Sequence, residues 1–470
     1  MSGKASVAER RIGILPLARA TFDVAFAEQK LAAMLAALDA AGLQVTGTRH
    51  LLFDADATRI AIEGLRGQEI TDLLVLQVTF TDAAMVVEAA NAFDVPLALW
   101  SVPEPRLGGR LRLNAFCGLN LAAHALGLAG REFGYLHAAP DAAGTEAALV
   151  ELLSGRRVSR DVEPRSATSD DPRGVAAAEA IRGARIARVG HYPDGFPTCA
   201  YDAGRIGELA GVRVDELDLG ELFARAGSVD AAQLADVRGA AENVLTGLDA
   251  VDQQQLERSL RLKPAIEALR REGNYDAFAI RCWPETFTEY GGAVCGPVSM
   301  MGEARVPCAC EADVYGALSA LLLQKVADAP AFLTDLVDID PRDDTGVVWH
   351  CGQAPVSMAD PEAPPQATIH TNRRLPLLFE FPLKPGRVTF FRISQARGRT
   401  VAVIGGGEML KRPMAFTGTS GVVRFDTPAR DLLDRIMGAA LEHHLALAYG
   451  DHRDALGAAA KCFGIPVLDL

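Results

Sequence analysis

The chain has 470 residues, more than one ordinary core holds, so two or three domains are expected. Apolar residues make up 49% and charged residues 23%, the balance of a globular protein, which excludes disordered and collagen-like chains. With 60 acidic and 47 basic residues the net charge is −13, which argues against nucleic acid or an anionic membrane as partner.

No apolar run long enough to span a membrane is free of charged residues. Met1 to Arg11 carries charges without an apolar stretch, so no signal peptide is expected and the cytoplasm is the expected compartment. There the eight cysteines are read as thiols, not as a disulfide framework.

Arg11-Ile-Gly-Ile-Leu-Pro-Leu17 reads as a buried strand, followed by a helix over Asp23–Ala41, a short segment at Leu43–Thr48 and a helix near Thr58–Gly67. Asp72–Gln77 and Val95–Trp100 are further strands with continuous apolar runs, which indicates a parallel sheet covered on both faces. No GxGxxG follows the first strand, so a dinucleotide site lacks support. After the polar stretch Gly155–Arg173 a second α/β unit begins, with strands at Ala184–Gly190, Val212–Leu217, Tyr275–Trp283 and Val306–Cys310 and a helix carrying Val314, Leu318, Leu321, Leu322 and Val326.

From about Asp344 short β-like runs broken by Gly and Pro predict a small antiparallel barrel or sandwich. A helix over Thr427–Tyr449, a second after Asp451 and a strand at Ile465–Leu468 close the chain. The fold class expected is therefore α/β: two doubly wound parallel-sheet domains, then a mostly antiparallel, barrel-like domain with terminal helices. The expected domains are residues 1–165, 166–340 and 341–470.

Open α/β sheets bind ligands at the carboxyl ends of their strands. Two successive strands of the middle domain end there in acids, in Arg281-Cys-Trp-Pro-Glu285 and Cys310-Glu-Ala-Asp313. Carboxylates converging from separate elements are what a hard divalent cation needs. Equally, an Asp opening a helix is commonly an N-cap, and Glu285 suits a solvated loop. His350 ends an apolar strand, and His443 and His444 continue apolar stripes on the expected last helix, where core histidines are also common. Cys282, Cys295, Cys308 and Cys310 lack the paired CxxC spacing of a zinc site and read as small buried hydrophobes.

Four motifs occur in order: Cys282-Trp-Pro-Glu285, Cys310-Glu-Ala-Asp313, Trp349-His-Cys-Gly352 and His443-His444 with Tyr449-Gly450. With the closing Phe463-Gly-Ile-Pro-Val467, they make the sequence resemble the L-fucose isomerase and L-arabinose isomerase superfamily. The resemblance implies a divalent cation, Mn²⁺ or else Co²⁺ or Mg²⁺, between the central and last domains, held by Glu285, Asp313 and His444. His350 is then a second histidine ligand, as in the arabinose branch, or a substrate contact, as in the fucose branch.

The implied reaction is aldose–ketose isomerisation of a monosaccharide through an ene-diolate, in which the cation acts as Lewis acid. Glu285 and Asp313 would double as the general acid and base. Arg281 and Trp283 lie beside the site as substrate contacts, and Arg281 with the basic stretch His370-Thr-Asn-Arg-Arg374 suits an anionic sugar, sulfonated or otherwise acidic. The resemblance also implies a homo-oligomer, trimer or hexamer, whose neighbouring subunits complete the site. The alternatives are a metal-dependent epimerase or lyase on the same scaffold, since scaffolds are reused, or a non-catalytic sugar-binding protein.

Overall fold

The computed structural model describes residues 10–155 and 157–470, so most of the Met1–Arg11 stretch lies outside the described residues. The N-terminal unit is a five-stranded parallel sheet in the order β2-β1-β3-β4-β5. Its strands are β1 (Ile12–Leu17), β2 (Val45–Gly47), β3 (Asp72–Gln77), β4 (Leu97–Ser101) and β5 (Gly134–His137). β1, β3 and β4 are buried along their whole length, as their unbroken apolar runs require of strands covered on both faces. The helices between them start where a side chain can satisfy free amides: Asp23 caps Val24–Ala40 and Asp54 caps Ala55–Arg66.

The second unit is a four-stranded parallel sheet, order β7-β6-β8-β9, from β6 (Arg185–Val189), β7 (Arg213–Leu217), β8 (Ala277–Ile280) and β9 (Cys308–Ala309). The third is a nine-stranded mixed sheet: β10 (Phe332–Asp340), β11 (Thr345–His350), β12 (Gln366–Thr368), β13 (Leu378–Pro382), β14 (Gly386–Ser394), β15 (Val401–Leu410), β16 (Thr419–Phe425), β17 (His444–Tyr449) and β18 (Val467–Asp469). Six of these strands, in the order β16-β11-β10-β17-β14-β15, pair antiparallel, and β15 pairs with β16 to close the ring. Closure removes the open edges that a sheet of this size would otherwise expose.

The expected fold class is observed. Two elements differ from expectation. β10 already belongs to the large sheet although it precedes residue 341, the start expected for the last domain. The helix expected over Thr427–Tyr449 spans only Ala429–Ala439; Ala440 turns left-handed (φ 54°) and His444 opens a strand. His444-Leu-Ala-Leu-Ala-Tyr449 is apolar at nearly every position, a pattern that suits a buried strand as well as a helix, and only its pairing with β10 and β14 decides between them.

One continuous core runs from Leu15, Val75 and Leu99 of the first sheet to Phe332, Phe381 and Phe390 of the barrel. Buried polar groups tie the same two units together. Asp338 on β10 accepts from Arg106 at 2.7 Å and lies 3.4 Å from His137, at the end of β5.

Candidate active site

A pocket of about 740 Å³, counting its open mouth, lies where the three units meet. The first sheet contributes Arg19 and Phe80, just beyond the carboxyl ends of β1 and β3, and Asn114. The second contributes Cys282 and Trp283 beyond β8, and Cys310 and Glu311 beyond β9. Asp335, His350, His370, Arg373 and His443 come from the third. Parallel strands direct their carboxyl ends to one side, which is why two of the walls are strand ends.

Four side chains converge at the floor around His444. Its Nε2 lies 3.3 Å from Asp335 Oδ1 and 3.8 Å from Glu311 Oε2, and its Nδ1 lies 2.9 Å from Asp313 Oδ2. Glu311 accepts from Trp283 Nε1 on one oxygen and meets His443 Nε2 on the other, both at 3.0 Å. Glu311 and Ala312 both hold left-handed backbone (φ 57° and 54°), a conformation disfavoured for residues with a Cβ. That turn lets Glu311 face the pocket while Asp313, two residues on, faces away.

Asp313 is fully engaged behind the floor. Arg392 donates to both of its oxygens, at 2.7 and 3.2 Å, and Gly316 N–H donates to Oδ1 as the cap of helix Val314–Ala327. Burial opposes its ionisation, but Arg392 and His444 outweigh burial and hold its pKa well below the ordinary range. An ionised Asp313 makes His444 Nδ1 the hydrogen-bond donor and turns Nε2 toward Glu311 and Asp335. Burial opposes protonation of the ring, but Asp313, Asp335 and Glu311 outweigh it and raise its pKa, so a cation at Nε2 would take the place of a proton.

Electrostatics sort the remaining groups. Burial also opposes ionisation of Glu311, yet His443, His444 and Trp283 bring its pKa down to about 2. Burial pushes the pKa of His350 down to about 4, so this ring is neutral. Its Nδ1 accepts the Cys351 backbone N–H at 2.9 Å, which puts the ring proton on Nε2. Gly352 holds this turn in place: it is left-handed (φ 72°), and a Cβ there would meet the Phe379 backbone at 2.6 Å.

Three groups of donor atoms able to hold a cation overlap here, and each contains His444. The group with Cys199 and Asp313 is already filled by Arg392, whereas those with Glu311 and with Asp335 face the pocket. Asp335 Oδ1, His350 Nε2 and His443 Nδ1 are buried with no hydrogen-bond partner. Buried polar atoms are rarely left unpaired, so their concentration in one pocket marks a place built for a ligand. Two carboxylates and an imidazole lone pair fit a divalent cation.

Residues 13–160 match the domain family described as fucose/sulfoquinovose isomerase, N-terminal domain, and residues 348–470 match L-fucose isomerase, C-terminal domain. A sulfoquinovose isomerase of Alkalicoccus urumqiensis is 31% identical over 402 residues, 85% of this chain and 86% of the relative. One of Priestia aryabhattai is 30% identical over 438 residues, 93% and 94% of the two chains. The chain belongs to the fucose/sulfoquinovose isomerase family. A third relative, the sulfoquinovose isomerase of Clostridium sp. (strain MSTE9), is 29% identical over 97% of this chain and 98% of its own. An ABC sugar transporter subunit from Rhodobacter sphaeroides 2.4.1 aligns with 70% of this chain and 86% of its own at 12% identity, but its TM-score of 0.26 carries no argument.

Within this family member, the site assembles differently from the sequence expectation. His350 and Trp283 line the pocket, and His444 lies at its floor beside Glu311 and Asp335. Glu285 does not join them: its carboxylate pairs with Arg281 at 2.6 Å, and neither residue lines the pocket. Burial raises the Glu285 pKa, but the Arg281 hydrogen bond outweighs it and the net shift is downward, as for an ordinary ion pair. Arg281 also donates to the carbonyls of His191 and Tyr192, so it braces a loop and does not reach the pocket. Asp313 supports His444 from behind and has no oxygen left for a cation.

The acids that sequence reasoning passed over are Glu311 and Asp335. Glu311 stands inside the motif already noted, two residues before Asp313. Asp335 had its own signal: Phe332-Leu-Thr-Asp-Leu-Val-Asp-Ile-Asp340 sets acids into an apolar strand, where an unpaired charge is costly and so has a task.

Proposed function

We propose that the protein is an aldose–ketose isomerase acting on sulfoquinovose, a glucose with a sulfonate on carbon 6, and that it uses a divalent cation. The observation that carries this reading is the convergence of Glu311 Oε2 and Asp335 Oδ1 on His444 Nε2, at 3.8 and 3.3 Å, at the floor of a sugar-sized pocket. The sugar is supported by the relatives' names and by arginines in the pocket wall. Glu311, Asp335 and His444 would hold the cation; manganese is the first choice, with cobalt or magnesium as alternatives. When bound, it polarises the carbonyl and neighbouring hydroxyl of the open-chain sugar.

The chain's own groups carry out the proton chemistry. Isomerisation moves a proton from carbon 2 of the aldose to carbon 1, and the hydroxyl proton on O2 passes to O1. We assign the proton transfer to Glu311 and Asp335, carboxylates from two different sheets that line the pocket, and such transfer contributes on the order of 10²–10⁴ in rate. His350 presents Nε2–H to a substrate oxygen, where it stabilises the negative charge of the ene-diolate; its tautomer favours this role over metal ligation. Trp283 offers an indole face to the sugar while its N–H steadies Glu311.

The reading includes a homo-oligomer, trimer or hexamer, which the resemblance to the L-fucose isomerase and L-arabinose isomerase superfamily implies. No helix among the described residues is long and apolar enough to cross a membrane. The test is metal analysis of purified protein, followed by an assay of sulfoquinovose conversion to its 2-keto isomer, wild type beside Asp335→Asn. About one divalent ion per chain and activity, both lost in the variant, are expected. A wild type supplied with manganese, cobalt or magnesium that converts none of the sugar would overturn the reading.

A further inference from the structure

The far wall of the pocket, away from the carboxylates, carries charge of the opposite sign. Arg373 sits on the loop between β12 and β13, with its guanidinium 4.8 Å from the Trp283 ring centre and 5.3 Å from that of Phe287. Among the described residues it meets these two aromatic faces and His370, and it pairs with no carboxylate. Arg19 approaches the same indole at 5.7 Å, but Asp82 already binds it as an ion pair. In a chain of net charge −13, a pocket arginine without an acid partner is the exception.

His370 makes the exception sharper. Its Nδ1 accepts the backbone N–H groups of Asn372 and Arg373, at 3.2 and 3.3 Å. A ring that accepts on Nδ1 carries its proton on Nε2 when neutral, and burial, reinforced by Arg373, keeps this ring neutral. His370 Nε2 and Arg373 Nη1 are then both donors, 3.3 Å apart. Two donors that face each other want an acceptor oxygen between them.

The loop holding them is ordered by its own backbone: His370 N–H donates to Leu375 at 2.9 Å, and Arg374 N–H to His370 at 2.7 Å. Arg110, from the first unit, donates to Asn372 at 2.6 Å and ties the loop across the mouth. Trp283 links the two ends of the pocket, since its N–H is on Glu311 and its ring lies against Arg373. Glu311 and Arg373 thus contact opposite parts of one indole.

We infer that Arg373, with His370 Nε2–H beside it, is the receptor for the anionic group at the far end of the sugar and sets the preference for a sulfonated over a neutral hexose. The inference rests on the isomerase reading above and adds the residues that select the substrate. A sulfonate offers three acceptor oxygens, enough to engage the guanidinium and the imidazole together. Because Arg373 is remote from the reacting carbons, it contributes equally to the bound substrate and the transition state, so its loss falls on KM and not on kcat.

The test compares wild type, Arg373→Gln, Arg373→Lys and, as a control on the exposed neighbour, Arg374→Gln. Each is assayed with sulfoquinovose and with 6-deoxyglucose, the same skeleton without the charge. Arg373→Gln is expected to raise KM for sulfoquinovose on the order of 10- to 100-fold and to lower the ratio of kcat/KM values for the two sugars by a similar factor. Arg373→Lys keeps the charge and falls between; Arg374→Gln matches wild type. Equal losses on both sugars, or an unchanged KM, would overturn the inference.

Calorimetric binding of the alditol of sulfoquinovose, which cannot isomerise, separates this inference from the functional reading. Absence of turnover in wild type counts against the isomerase alone. Arg373 is judged by the isotherm: weaker binding in Arg373→Gln supports it, and identical affinity sinks it.

Discussion

Two sets of buried charge stand back to back at His444. Behind the ring, the two acids Asp313 and Glu442 are saturated: Asp313 takes Arg392, His444 and a backbone amide, and Glu442 takes Ser394 Oγ and the Gln395 N–H, both at 2.7 Å. Arg392 Nε lies 3.5 Å from Glu442, so the buried guanidinium is shared between two acids. In front, Asp335, His350 and His443 each keep a buried atom without a partner. Both sets are buried. What separates support from chemistry is whether the carboxylate oxygens are already satisfied: those of Asp313 and Glu442 are, and Asp335 Oδ1 is not.

The largest way to break that contrast is Asp335→Asn. It removes a charge from the unsatisfied set, so kcat should fall on the order of 10²–10⁴-fold with metal content, while the melting temperature stays near wild type. Arg392→Met does the opposite: it leaves Asp313 and Glu442 buried without their counter-ion, and urea unfolding should register a loss of about 3–5 kcal/mol. Asp313→Asn weakens the grip on His444 Nδ1, and competition with a chelator should find metal affinity lowered by roughly 10- to 100-fold.

The tie between the first sheet and the barrel sharpens the comparison through pH. Burial opposes ionisation of Asp338, but the His137 hydrogen bond and Arg106 outweigh it, and its pKa is lowered. A lowered carboxyl pKa adds stability above the unfolded value, near 4, and that stability is lost as pH falls through the folded value. Asp338→Asn should therefore unfold at lower urea than wild type at pH 7, with the two midpoints drawing together toward pH 3. The smallest effect belongs to Glu285→Gln. Its partner Arg281 and the carboxylate itself are partly exposed (17% and 23%), so at most about 1 kcal/mol is at stake and metal content should be unchanged.

Much of the fold was legible because it depends on local pattern. The apolar runs at β1, β3 and β4 and the short β runs after Asp344 read correctly as parallel sheet and antiparallel barrel. The strand-end motifs also lead to the pocket: Trp283 and His350 line it, and His444 lies at its floor. The differences in placement share one cause. Glu285 and Glu311 both follow strands of the same sheet, yet one meets Arg281 four residues before it and the other meets His443 from another unit.

Sequence pattern carries the period of each element, the order of the units and the residue types available for catalysis, because these follow from side-chain alternation and backbone preference along a few residues. It does not say which of Glu311 and Asp313 faces the ligand, that His444 opens a strand, or that Arg373 stacks on Trp283. Those outcomes depend on partners far away in the sequence, or on a turn whose left-handed backbone only the surrounding packing holds in place. Tertiary structure decides them by determining which buried polar atoms find a partner and which are left for the substrate.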